Sequence, residues 1–434
     1  MIKSEYINFN YNKTNHTKKD TCMKEDILAE QNNKEENKDS FFDEKLNISY
    51  IPQNTPKPDN QLILKHYFCS IQIYGFIIIL YWLNPFFSSA PLEVKLFYSF
   101  FFLAYVFIAP IIYFTVRPKS IHNSHSIEIC NYITRIFISK TKISKLNTSE
   151  IKNFLEHFKP TYREKQSLML IFIKTFFGIL MVQSLYINLD ELHMNLKYFF
   201  EIAQSLFMYF TKHTTTLAQA FPNQYRQFLF GQSITILYTI DLAIFSFGYL
   251  TELSIFKNKI RTVETTAAGI FFCLACYSPF VMATNSFLGW NQNDVTAAFG
   301  DETSALTWSI RLIALCFLTV YVAASAALGT KGSNLTNRGT VTCFPYNIVR
   351  HPAYICKNTF WIITTLTMFI VDFTKPGFNF GEYFMNLCLA IASLTGWALI
   401  YYFRAVTEER HLIQDPEYRE YTKKVKYRFI PGII

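Results

Sequence analysis

Along the chain, apolar residues gather into long blocks separated by shorter polar stretches. Eight blocks approach the ~20 residues that a helix needs to cross a bilayer. They cover 62–83, 94–116, 168–189, 228–250, 267–288, 306–328, 359–373 and 383–403. The seventh is the shortest. A further stretch, 196–210, carries Glu201 and Gln204. It reads as a helix lying in the membrane interface, with a buried partial span as the other option. The pattern predicts an all-α polytopic membrane protein with about eight transmembrane helices.

The charges between the blocks set an orientation, because cytosolic loops carry the excess of Lys and Arg. The connection 117–167 is densely basic, and 251–266 holds Lys257, Lys259 and Arg261. Both read as cytosolic. The connection 291–305 holds Asp294, Asp301 and Glu302 and no basic residue, so it suits the outer side. Threading eight spans through these assignments puts both termini in the cytosol, together with 329–358 and 404–434. Residues 1–60 are polar and contain no apolar run, which reads as a disordered tail. An N-terminal transmembrane region, 61–305, and a C-terminal core, 306–434, follow.

Only 17% of residues are charged, yet the net charge is +9. A soluble protein with that excess would raise the question of nucleic acid. Here the bases lie between apolar blocks, so they read as topology signals and contacts to anionic lipid rather than as a nucleic-acid surface. The host membrane reads as a bacterial cytoplasmic membrane, with endoplasmic reticulum as the alternative. The nine cysteines show no spacing of a disulfide framework or metal cluster. Cys273 and Cys276 lie in an apolar run and read as small hydrophobes. Lys174 and Asp241 are charges inside spans. They read either as a structural pair or as part of a substrate cavity.

Polar chemistry concentrates in the last third. Pro352 holds His351 extended and suits the first turn of the next helix, which carries Tyr354. Glu408 and Glu409 lie just past the last span, and Arg404 lies four residues before Glu408 on one helical face. Two separate segments therefore bring imidazole, phenol, guanidinium and carboxylates to one depth of the membrane. Carboxylates accept from ribose hydroxyls, and Arg holds a carboxylate in a forked pair. The set suits a polar zwitterionic ligand, and interfacial anchoring is the alternative.

The run Arg350-His351-Pro352-Ala353-Tyr354 is followed by a helical hairpin and then by Glu408-Glu409-x-x-Leu412. Tyr418, Tyr421, Arg428-Phe429 and Pro431 complete the series. This order resembles the isoprenylcysteine carboxyl methyltransferase family, part of a larger group that includes phospholipid methyltransferases. The resemblance covers about 306–434. One departure is Phe344, which precedes Pro345-Tyr346 where many members carry Gly.

The resemblance implies S-adenosylmethionine as methyl donor, bound on the cytosolic side. It implies that His351, Tyr354, Glu408 and Glu409 line the cofactor pocket, with Tyr346 and Arg428 as further contacts. His351, Arg350 and Arg404 are positioning candidates. The acceptor would be lipophilic, carrying a lipidated cysteine carboxylate or a headgroup amine. The runner-up is an NADPH-dependent membrane sterol or steroid reductase, in which Arg338, Lys357, Lys423 and Lys424 would meet the extra phosphate. A membrane scaffold or transporter is the non-enzymatic alternative.

Overall fold

Side-chain caps open most of the helices. Asp59 accepts from the amide of Leu62 at 2.7 Å and starts α1 (Asn60–Leu83). Next come α2 (Leu92–Val116) and the amphipathic α3 (His125–Lys140). Thr161 and Glu164 form a capping box at the head of α4 (Tyr162–Met194), satisfying two otherwise orphaned amides. Then follow α5 (Leu196–Lys212), α6 (Asn223–Leu250), α7 (Ala267–Leu274) and α8 (Phe280–Leu288). The last third contains α9 (Ala305–Leu328), α10 (Pro352–Asp372), α11 (Phe380–Leu412) and α12 (Pro416–Lys424). The computed structural model describes residues 42–84, 90–140, 158–212, 216–289, 304–372 and 377–433.

The architecture is all-α. Among the described residues, six helices are long and apolar enough to cross a membrane: α1, α2, α4, α6, α9 and α11. They mark a membrane protein. Phe100, Phe107 and Ile111 on α2 are exposed, a surface that lipid tolerates and water does not.

The eight-block count is not met by uninterrupted helices. Block 267–288 is broken into α7 and α8, with Pro279 at the start of α8. Proline lacks an amide proton, and its ring clashes with the carbonyl four residues earlier. Each half reaches only about 12–14 Å at 1.5 Å per residue, under half of a bilayer core. Block 359–373 belongs to the longer α10, which begins at Pro352. The acidic connection 291–303 lies outside the described residues. The stretch 196–210 is helical within α5, with Ile202 as its buried residue.

Six helices pack in a closed sequence around a central cavity. Helix α4 packs on α6, α6 on α9, α9 on α10, α10 on α11, and α11 on α7. The circle closes where Phe177 of α4 meets Tyr277, just after α7, with ring centroids 4.9 Å apart. Beneath this contact lies the main apolar core of Ile173, Phe177, Tyr249, Ile260, Val263 and Cys273. Helices α1, α2 and α3 stand outside the ring, attached through contacts of α3 and α2 with α4.

Two sequence expectations change here. The polar segment read as a tail to residue 60 is docked from Phe42 onward. The amide of Ile48 donates to the Arg261 carbonyl at 2.8 Å, and Ile48 is buried in the main core. Burying one such side chain stabilises by about 1.5–3 kcal/mol, enough to fix a short polar segment locally. Residues 1–41 lie outside the described residues. Lys174 does not pair with Asp241; it pairs with Glu252. Asp241 lies nine residues, about 13 Å, before the last residue of α6, Leu250, and Glu252 lies beyond that end, so one lysine cannot serve both.

Candidate cofactor and substrate site

The ring encloses a cavity of about 460 Å³. Its wall contains six of the eight residues that the resemblance assigns to the site, Tyr346, Arg350, His351, Tyr354, Arg404 and Glu408, and also Asp241, Arg338 and Lys357. Helical spacing explains why they converge. Trp397, Tyr401, Arg404 and Glu408 recur on one face of α11, while Tyr354, Lys357 and Trp361 recur on one face of α10. The two faces meet. Tyr354 Oη donates to Glu408 Oε2 at 2.7 Å, and the Trp361 and Trp397 rings lie 5.7 Å apart.

Glu408 and Glu409, adjacent in sequence, point to different partners. Glu408 lines the cavity. Glu409 instead holds an ion cluster beside it: Arg350 Nε at 2.8 Å, His351 Nε2 at 3.1 Å and Arg428 Nη2 at 2.7 Å. Neither Glu409 nor Arg428 lines the cavity. The structure places both in a clasp beside the cavity. Consecutive helix positions lie about 100° apart, so only one of the two carboxylates can face inward.

The clasp fixes the C-terminal strand of chain. Arg350 N donates to the Tyr427 carbonyl at 3.0 Å, and His351 N to the Arg428 carbonyl at 2.9 Å. Arg350 Nη1 adds bonds to the carbonyls of Val425 and Lys426 at 3.0 and 2.8 Å. The hydrogen bond to Glu409 pushes the Arg428 pKa further up. Tyr421 Oη donates to the Tyr346 carbonyl at 2.7 Å. Burial raises the pKa of the Tyr346, Tyr418 and Tyr421 phenols, so all three remain neutral donors at physiological pH. The φ angle of Phe344 is not positive, so the turn before Pro345 does not require the glycine found in many relatives of the resembled family.

Residues given no role from the sequence, Asn334, Tyr277 and Tyr401, gather around Arg404. Arg404 is buried and donates through Nη2 to Asn334 Oδ1 at 2.7 Å. Its guanidinium carbon lies 5.1, 5.5 and 5.9 Å from the ring centroids of Tyr354, Tyr277 and Tyr401. The arginine is thus held by aromatic faces and an amide, with no carboxylate in ion-pair contact among the described residues. Asn334 comes from the loop after α9. There β1 (Thr262–Val263) and β2 (Thr336–Asn337) pair antiparallel. Leu335 takes a left-handed φ of 57°, a conformation costing about 1–2 kcal/mol for a residue with a side chain. Asp415 holds the loop from below, accepting from Arg261 and from Asn337 Nδ2, each at 2.8 Å. The α11 residues had a legible helical spacing. Asn334 had none, because a long-range loop contact leaves no periodic trace.

The cavity wall also contains polar atoms without partners. Asn334 Nδ2 and the Nε and Nη2 atoms of Arg338 are buried and unpaired. Such groups are costly unless a ligand or water satisfies them. Free amide and guanidinium donors, the Glu408 carboxylate and several tyrosine rings thus share one wall. Comparison with protein-family models, with curated proteins and with solved structures finds no match to this chain.

Proposed function

We propose that the protein is an integral membrane methyltransferase that uses S-adenosylmethionine and acts on a lipophilic acceptor. The observation that carries this reading is the convergence of Tyr354 and Glu408, from two distant segments, on one cavity enclosed by apolar helices. In this reading α10 and the α7–α8 pair complete the crossing set. The mouth beside Glu408 and His351 faces the cytosol, as do both termini.

When bound, S-adenosylmethionine supplies an activated methyl group on a positively charged sulfur. Glu408 accepts from the ribose hydroxyls, and Tyr354 keeps that carboxylate aimed into the cavity. Arg338 and Asn334 offer donors to the amino-acid carboxylate. The faces of Tyr354, Tyr277 and Tyr401 hold the Arg404 guanidinium in the wall. His351, stacked on Tyr354 at 5.2 Å and tied to Glu409, closes the mouth. The acceleration then comes from alignment and exclusion of water rather than from strong acid–base chemistry.

Of the four cations that a reductase would use on the extra phosphate of NADPH, only Arg338 and Lys357 line the cavity. Lys423 pairs with Glu420 on α12. Calorimetric titration of the purified protein with S-adenosylmethionine, S-adenosylhomocysteine and NADPH tests the reading. Saturable binding of the first two is expected; binding of NADPH alone would replace the methyltransferase with the reductase.

A further inference from the structure

The inner half of the cavity holds chemistry that cofactor binding leaves unused. Asp241 of α6 lines the wall and is only 7% exposed. Its Oδ2 accepts from Tyr321 Oη at 2.8 Å, while Oδ1 has no hydrogen-bond partner. The Ser325 hydroxyl lies close to Asp241 as well and donates to the Tyr321 carbonyl at 3.5 Å. Lys357 of α10 lies across the same tyrosine, its Nζ 5.5 Å from the Tyr321 centroid and 5.3 Å from that of Trp361. It forms no ion pair among the described residues. Met181, Leu242, Phe245 and Leu328 supply apolar wall beside this group.

The local charge balance restricts what can bind. Asp241 and Lys357 put an acid and a base on one cavity wall, each in contact with Tyr321. A carboxylate head would face Asp241 and leave Oδ1 unpaired. An ammonium head would satisfy Oδ1 but lie beside Lys357. Like-charge juxtaposition in a dry site costs several kcal/mol. A hydroxyl conflicts with neither group, because its proton can be donated to a carboxylate and its lone pairs can accept from an ammonium.

We propose that Asp241, Tyr321 and Lys357 form a head-group subsite for a lipophilic phenol or alcohol, and that this hydroxyl is the group methylated. Its role as acceptor rests on the methyltransferase reading; its binding does not. In the transfer, the hydroxyl oxygen forms a bond to the methyl carbon, and the carbon–sulfur bond breaks with its electron pair passing to sulfur. The hydroxyl proton goes to Asp241 Oδ1.

The test uses the full chain in lipid nanodiscs and three probes with a dodecyl tail, 4-dodecylphenol, dodecylamine and tridecanoate, with 1-dodecanol as a second hydroxyl. Wild type is expected to bind the hydroxyl probes at least about tenfold more tightly than either charged probe. Lys357→Met should shift the preference toward dodecylamine, and Asp241→Asn toward tridecanoate. If one variant fails to fold, the other still gives the predicted shift or does not. Wild-type preference for a charged probe, no binding of any probe, or variants that weaken all probes equally would overturn the subsite. S-adenosylhomocysteine binding, measured in parallel, separates the two ideas. Hydroxyl binding without nucleoside binding removes the methyltransferase reading and keeps the subsite; the reverse removes the subsite alone.

Discussion

Replacing Glu409 by Gln should loosen the C-terminal strand without altering the cavity wall directly. Glu409 makes three charge-assisted contacts, to Arg350, His351 and Arg428, and its side chain is 12% exposed. Hydrogen bonds to charged groups contribute roughly 1.5–3 kcal/mol each, but they are not additive here, because Arg350 keeps its bonds to backbone carbonyls. Removing one partner of a largely buried ion cluster typically costs about 3–5 kcal/mol. The lower figure suits a cluster whose Arg428 is 22% exposed. A local loss of about 3 kcal/mol corresponds to a roughly 150-fold rise in the opening equilibrium. Hydrogen exchange reads it directly: the amides of Arg350 and His351, bonded to the carbonyls of Tyr427 and Arg428, should exchange about 100-fold faster. Unchanged protection in Glu409→Gln would refute the clasp and return Glu409 to the list of possible ligand contacts.

Three further outcomes follow from the geometry. Glu408→Gln should weaken S-adenosylhomocysteine binding by at least about tenfold while leaving protection at Arg350 and His351 intact, the reverse of the Glu409 variant; calorimetry and exchange together distinguish them. Gly248→Ala would place a Cβ 2.5 Å from the carbonyl oxygen of Gly332, so α6 and the loop after α9 must separate. A loss of about 1–3 kcal/mol, read by thermal unfolding, is expected. Burial pulls the pKa of His125 down to about 4, and its Nδ1 lies 2.9 Å from Ser167 Oγ. Its folded pKa lies below the unfolded one, so the unfolded chain binds the extra proton. His125 therefore removes stability as pH falls from about 6.5 toward 4. His125→Gln should flatten that part of the stability profile, and an unchanged slope would show that the histidine is not buried neutral.

What the sequence determined is what short-range physics encodes. Apolar blocks of bilayer length fixed the class, and capping residues such as Asp59, Thr161 and Asp415 fixed helix starts. The 3.6-residue repeat placed Arg404 and Glu408 on one face of α11. The uniform apolarity of 267–288 concealed the break at Pro279, which divides that block into α7 and α8. Tertiary structure decided the rest. It alone separated Glu408 from Glu409, because neighbouring residues with the same chemistry differ only in what each helical face meets. It moved Lys174 from Asp241 to Glu252, because partner choice depends on the axial register of α4 against α6. It brought Asn334 to Arg404 and Lys357 to Tyr321, contacts between residues far apart in the chain or on different helices. Such pairings leave no local pattern, because they arise only when six helices close into a ring.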